Sequence, residues 1–131
     1  RDRLRTVAPM PVFAGEKNFN PHYLIMKLSK QYRFHPVNQC FCLVEYQPDG
    51  MTANIWKQYV NSPRSFAELR RVIMDVPGLT WQYRLKNIIH YCSSSQIAGN
   101  RNYIKESPRK LLTVLCTPAG WVLTGYIRRK V

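Results

Sequence analysis

The sequence predicts an α+β fold: an antiparallel sheet from two β-hairpins packed against two or three helices, preceded by an extended basic N-terminal arm. Two stretches of β-branched and aromatic residues enclose turn chemistry, "CLVEYQPDGMTANIW" and "LLTVLCTPAGWVLTGY". Two others repeat apolar residues at helical spacing behind capping residues. The opening residues hold breaks and no sustained period.

Residues 1–19 read as the arm. Pro9, Pro11 and Gly15 interrupt any regular element, and Arg1, Arg3 and Arg5 share one side of an extended chain. Residues 20–131 are then expected to form a single α+β domain, since a chain of 131 residues fits one core. The segment "NPHYLIMKLSKQYRF" predicts a helix, with Asn20 as N-cap and Pro21 suited to the first turn. Leu24, Ile25, Leu28 and Tyr32 make its apolar stripe, Lys30 and Arg33 complement its dipole, and Pro36 ends it.

The first hairpin is expected over Gln39–Gln47 and Met51–Val60, joined by "PDG". A second helix follows in "SPRSFAELRRVIMDVPG", where Ser65 and Glu68 have capping-box spacing. Its buried stripe is Phe66, Leu69, Val72, Ile73 and Val76, with Arg70 and Arg71 outside it. Over residues 79–92 two periods compete. Leu79, Trp81, Tyr83 and Leu85 alternate as in a strand, but only the helical spacing of Trp81, Leu85, Ile88, Ile89 and Cys92 spans the segment, which favours a helix. Residues 93–109 read as a long polar connection. The second hairpin closes the chain, with Pro118 and Gly120 in its turn. Trp121, Leu123 and Ile127 would face the core, and Arg128, Arg129 and Lys130 lie where that pattern ends.

Charge is the outlier of the composition. Lys and Arg number 20 against seven Asp and Glu, a net charge of +13, which repels copies of the chain and attracts polyanions. Arg dominates, the side chain whose planar fork matches phosphate. "WQYRLK", "NRNYIK" and "GYIRRK" place aromatic rings among the cations, the mixture used to hold single-stranded nucleic acid. No RNP-type, KH or zinc-knuckle signature accompanies them, so backbone contact with little sequence readout is expected. The candidate nucleic-acid-binding residues are Arg1, Arg3, Arg5, Arg70, Arg71, Arg101, Lys105, Arg109, Arg128, Arg129 and Lys130.

Other function classes find little support. His22, His35 and His90 lie in no nucleophile motif, the seven carboxylates form no close pair, and no phosphate-binding glycine loop is present. No catalytic residue or cofactor is therefore expected. Cys40, Cys42, His90 and Cys92 supply four nitrogen and sulfur groups. Zinc thiolates are usually brought together by a tight turn, however, and Cys40 and Cys42 sit mid-strand in this reading, so no metal is expected. All four cysteines lie in apolar stretches and read as buried, reduced thiols of a reducing compartment. No apolar run approaches the ~20 residues of a bilayer span, so no membrane span is expected. The opening "RDRLRTVAPMPVFA" is Arg-rich and acid-poor, like the tail end of an organellar presequence, and points to the mitochondrial matrix.

In composition the chain is similar to organellar ribosomal proteins, being small, Arg-rich and armed with a basic extension. That similarity implies a non-enzymatic, RNA-contacting structural subunit of a large ribonucleoprotein, with RNA and neighbouring proteins as partners. The alternative is a protein-binding accessory subunit of another organellar assembly, such as a respiratory or ATP synthase complex. There the same charges would meet acidic proteins or anionic lipid headgroups.

Overall fold

The computed structural model describes all residues except Arg1, Asn18, Tyr46, Asp49, Met51 and Thr52. Among the described residues it contains seven helices and no strand. They are α1 (Asp2–Arg5), α2 (His22–Leu28), α3 (Ile55–Asn61), α4 (Pro63–Met74), α5 (Trp81–Ile97), α6 (Tyr103–Glu106) and α7 (Lys110–Lys130). The expected α+β class is therefore wrong. The architecture is a stack in which α5 lies between α4 and α7, α2 packs on the far side of α4, and α3 bridges α4, α5 and α7.

Each hairpin failed for its own reason. The second is one continuous helix, α7, which runs through Pro118 on its exposed side. The residues that read as a turn belong to a helical stripe: Thr113, Cys116, Gly120, Thr124 and Ile127 recur at steps of three and four, and all are buried. In the first hairpin, residues 39–45 are irregular and exposed, and four of its other residues lie outside the described ones. Its return strand becomes α3 from Ile55 onward. Ile55, Trp56, Tyr59 and Val60 form one helical face against Phe66 and Ile127, a better burial than alternation would give.

The helical expectations fared better. The segment 79–92 is helical, as the longer period indicated, and α5 continues to Ile97, taking up the start of the expected loop. The stripe Phe66, Leu69, Val72, Ile73 and Val76 is buried throughout. Pro21, just before α2, already has helical backbone angles (φ −57°, ψ −18°), and Asn20 ahead of it accepts the His22 N–H on Oδ1 at 2.9 Å. The helix it opens stops at Leu28, short of the expected Phe34.

The capping box of α4 is not formed. With Pro63 in the first turn the helix starts three residues early, which puts Ser65 inside it and turns Glu68 onto Arg71 at 2.7 Å. The free N–H groups of α4 are met instead by Glu16 of the arm. Its carboxylate accepts the Arg64 and Ser65 N–H groups, both at 2.8 Å, and the Ser65 hydroxyl at 2.6 Å. A negative charge at this end also opposes the positive pole of the helix. The arm is thus tied to the body: Phe13 stacks near Phe19, Phe19 meets Tyr23 edge-on, and Met10 packs against the α2–α4 cluster. Its first residues form the turn of α1, so Arg3 and Arg5 are not on one side of an extended strand.

Candidate functional site

The expected anion-binding residues do not converge on one face. Arg70 is half-buried and works inside the fold, donating to Asn87 Oδ1 at 2.8 Å and to the Tyr59 hydroxyl at 3.2 Å. Asn87 is itself buried and donates to the Tyr83 carbonyl, so this network pins α4 to α5. Arg71 holds Glu68 with two donors and is raised by that pairing, which spends its charge. Arg3 lies over the Tyr32 ring at 4.5 Å, and Arg5 faces Asp2 at 3.7 Å. Arg1 falls outside the described residues.

The remaining six candidates gather in two groups at opposite ends of α7. Arg101, Lys105 and Arg109 are exposed on α6 and its flanks. That segment is fastened to the first half of α7, where the Tyr103 hydroxyl meets Thr117 at 3.0 Å and Ser107 meets Thr113 at 2.6 Å. Arg128, Arg129 and Lys130 form the last turn, with Lys130 beside the Tyr126 ring at 5.7 Å. A helix of 21 residues sets these ends ~30 Å apart. Among the described residues, ion pairs involve Arg5, Lys30 and Arg71, and none of the six has a carboxylate partner.

Between the two groups lies the feature the sequence reading missed. The inner face of α7 is small and polar. Gly120 meets α5 so closely that a Cβ there would stand 2.6 Å from the Cys92 Cβ. The Thr124 hydroxyl lies 3.0 Å from that of Ser93 and 3.1 Å from Gln96 Oε1. The Cys92 thiol points at the Thr113 carbonyl at 3.6 Å. The outer face is large and apolar: Leu111 is 83% exposed, Leu115 74%, Trp121 64% and Val122 75%, with Val114 and Tyr126 beside them. Trp121, expected in the core, is outside. Leu123 and Ile127, expected to share its face, are half-buried and buried respectively. By length and composition α7 is also apolar enough to cross a membrane, which leaves the expectation of no span without support. The signal was legible in principle, because small residues at 113, 116, 120 and 124 mark a close helix contact.

Among the described residues the cysteines do not stand in an activated cluster. Cys92 and Cys116 are buried, and burial pushes the Cys92 thiol up to about 11, away from the thiolate a nucleophile needs. Cys40 and Cys42, expected to be buried, are exposed in the irregular segment. Among the described residues no group of three or more His, Cys, Asp or Glu could hold a metal ion. A cleft of about 370 Å³ between the arm, α4, α5 and α6 is lined by Glu68, Arg71, Tyr91 and Glu106. Its Arg71 and Glu68 are committed to each other, and burial raises the Tyr91 phenol to about 12. Against known proteins, no family model, no curated protein and no solved structure matches the chain.

Proposed function

We propose that the protein is a non-enzymatic accessory subunit of a large assembly, of the membrane-bound respiratory or ATP synthase kind, held in place through α7. The observation that supports this is the reversed polarity of α7. A helix that buries Thr113, Cys116, Gly120 and Thr124 and exposes Leu111, Leu115, Trp121 and Val122 suits apolar surroundings rather than water. The RNA-contacting reading keeps one supporting observation, the six exposed cations with no carboxylate partner among the described residues. It loses Arg70 and Arg71, which serve the fold, and the cations that remain are divided by an apolar face.

The two readings part in sedimentation of the chain from its native source. The accessory-subunit reading expects the chain to migrate with a large particle that RNase leaves intact and detergent shifts. Release by RNase would overturn it in favour of the RNA reading. A salt series with purified chain and generic RNA gives the second check. Weak binding that an Arg128/Arg129/Lys130→Ala variant barely alters is expected, whereas tight binding that falls steeply with salt and with that variant would favour RNA.

A further inference from the structure

The outer face of α7 is exposed at Leu111, Leu115, Trp121 and Val122, with Trp56 edge-on to Tyr126 at its far end, and the chemistry around it limits what can cover it. Residues 111–127 carry no charged side chain, and no Asp or Glu occurs after Glu106. Cations stand at both ends: Arg109 and Lys110 at the start, Arg128, Arg129 and Lys130 at the finish. We propose, on the basis of the subunit reading above, that this face seats in the surface of an anionic lipid bilayer, with α7 lying in the interface plane.

Charge complementarity selects this occupant. A second copy of the chain would bring +13 against +13 and set like charges together at the helix ends. RNA would meet its phosphate partners only at the two ends, with Leu and Val between. A bilayer interface offers both chemistries at once, acyl chains for the apolar face and anionic headgroups for the flanking Arg and Lys. Those long side chains reach upward to headgroups while their stems stay apolar.

The in-plane orientation follows from what α5 does to the other face. α5 covers α7 along Cys92, Ser93 and Gln96 and carries Arg84 and Lys86, which a spanning arrangement would draw into hydrocarbon. The Arg84 guanidinium is already committed to the Val76 carbonyl at 3.1 Å, on the α4 side. Beside α7, an open depression of about 410 Å³ is lined by Leu85, Ile89 and Leu123 together with Gln82, Lys86 and His90, so apolar surface continues past the helix with a cation beside it that an in-plane seat leaves to the headgroups.

Vesicle co-sedimentation of the full chain tests the proposal. Vesicles of phosphatidylcholine alone are compared with vesicles containing about 30% phosphatidylglycerol, at about 0.1 M salt. The expected result is binding at least ~10-fold tighter to the anionic vesicles. A Leu115→Glu/Val122→Asp variant should lose at least ~10-fold in binding. Both positions are exposed, so its helix content should match the parent. In a Trp56→Phe/Trp81→Phe background, brominated lipid should quench the remaining Trp121. Failure of the parent to bind anionic vesicles, parent-like binding by the double variant, or an unquenched Trp121 would each overturn the lipid seat. So would dimerisation of the lipid-free chain that the double variant abolishes, which would assign the face to a second copy. The two readings fail separately. An RNase-resistant particle with no vesicle binding sinks only the lipid seat, whereas an RNase-sensitive particle sinks the subunit reading itself.

Discussion

Gly120 and Gly125 sit on the same helix five residues apart, yet substitution should move stability in opposite directions. At Gly120 a methyl group must displace Cys92, a contact of backbone-near atoms that cannot swing away, whereas nothing lies within 4 Å of a Cβ at Gly125. Gly120→Ala is expected to destabilise by about 1–3 kcal/mol through overpacking. Gly125→Ala should stabilise by about 0.5–1 kcal/mol through helix propensity, and urea unfolding of both variants measures the difference. Glu16 offers a second check. It closes the start of α4 with three hydrogen bonds, so Glu16→Ala should cost about 1 kcal/mol although the residue lies in the arm. His90 supplies a pH dependence. Its ring stacks on Tyr59 at 5.7 Å, and burial first, then Arg70 and Lys86, push its pKa down to about 4. In the unfolded chain it titrates near 6.5, so between these values the unfolded state binds the extra proton. The contribution of neutral His90 is complete above about 6.5 and is lost as pH falls toward 4. In His90→Phe the drop in urea midpoint between about pH 7 and pH 5 should be smaller than in the parent; an equal drop would refute this assignment.

At the level of elements, α7 and residues 32–45 share one trait: both expose large apolar side chains. α7 does so on an ordered helix whose other face is hydrogen-bonded and tightly packed, which makes its apolar face a surface of fixed shape. Residues 32–45 do so without regular structure, with Phe34, Val37, Phe41, Leu43 and Val44 all exposed. A protease needs an extended, accessible backbone. Limited chymotrypsin treatment should therefore cut at Phe34, Phe41 or Leu43 well before it cuts in α7, despite the exposed Leu111, Leu115 and Trp121. First cleavage within 110–130 would show that α7 is not held against α5 as described. The sequence contained both apolar stretches, but period alone did not separate an exposed helix face from a strand. "CTPAG" has turn chemistry when flanked by strands and is a packing notch when flanked by helix.

Across the whole molecule, the charge excess is distributed by use. Some cations hold the fold: Arg70 through Asn87 and Tyr59, Arg84 through the Val76 carbonyl, and Lys30 through Asp75 at 2.6 Å. Others stand at the ends of α7 with no carboxylate partner among the described residues. Composition alone could not make that division, because a linear count gives every Arg the same weight. Arg70→Ala should accordingly act on stability more than on any binding step. It strips a donor from buried Asn87 and is expected to cost about 1–3 kcal/mol in urea unfolding. Arg129→Ala should be nearly neutral there.

What the sequence determined by itself is local. It marked the apolar stripe of α4, the helical period over 79–92, the helix start after Asn20 and the basic ends, because each depends on neighbours within one or two turns. Tertiary structure decided the rest. It placed Glu16 at the start of α4 across 48 residues, turned Trp121 outward, and joined two expected strands into α7. The physical reason is that small residues bury well only where a second helix comes close. Whether Gly120 is a turn or a contact is settled by the approach of Cys92, a distance no local pattern contains.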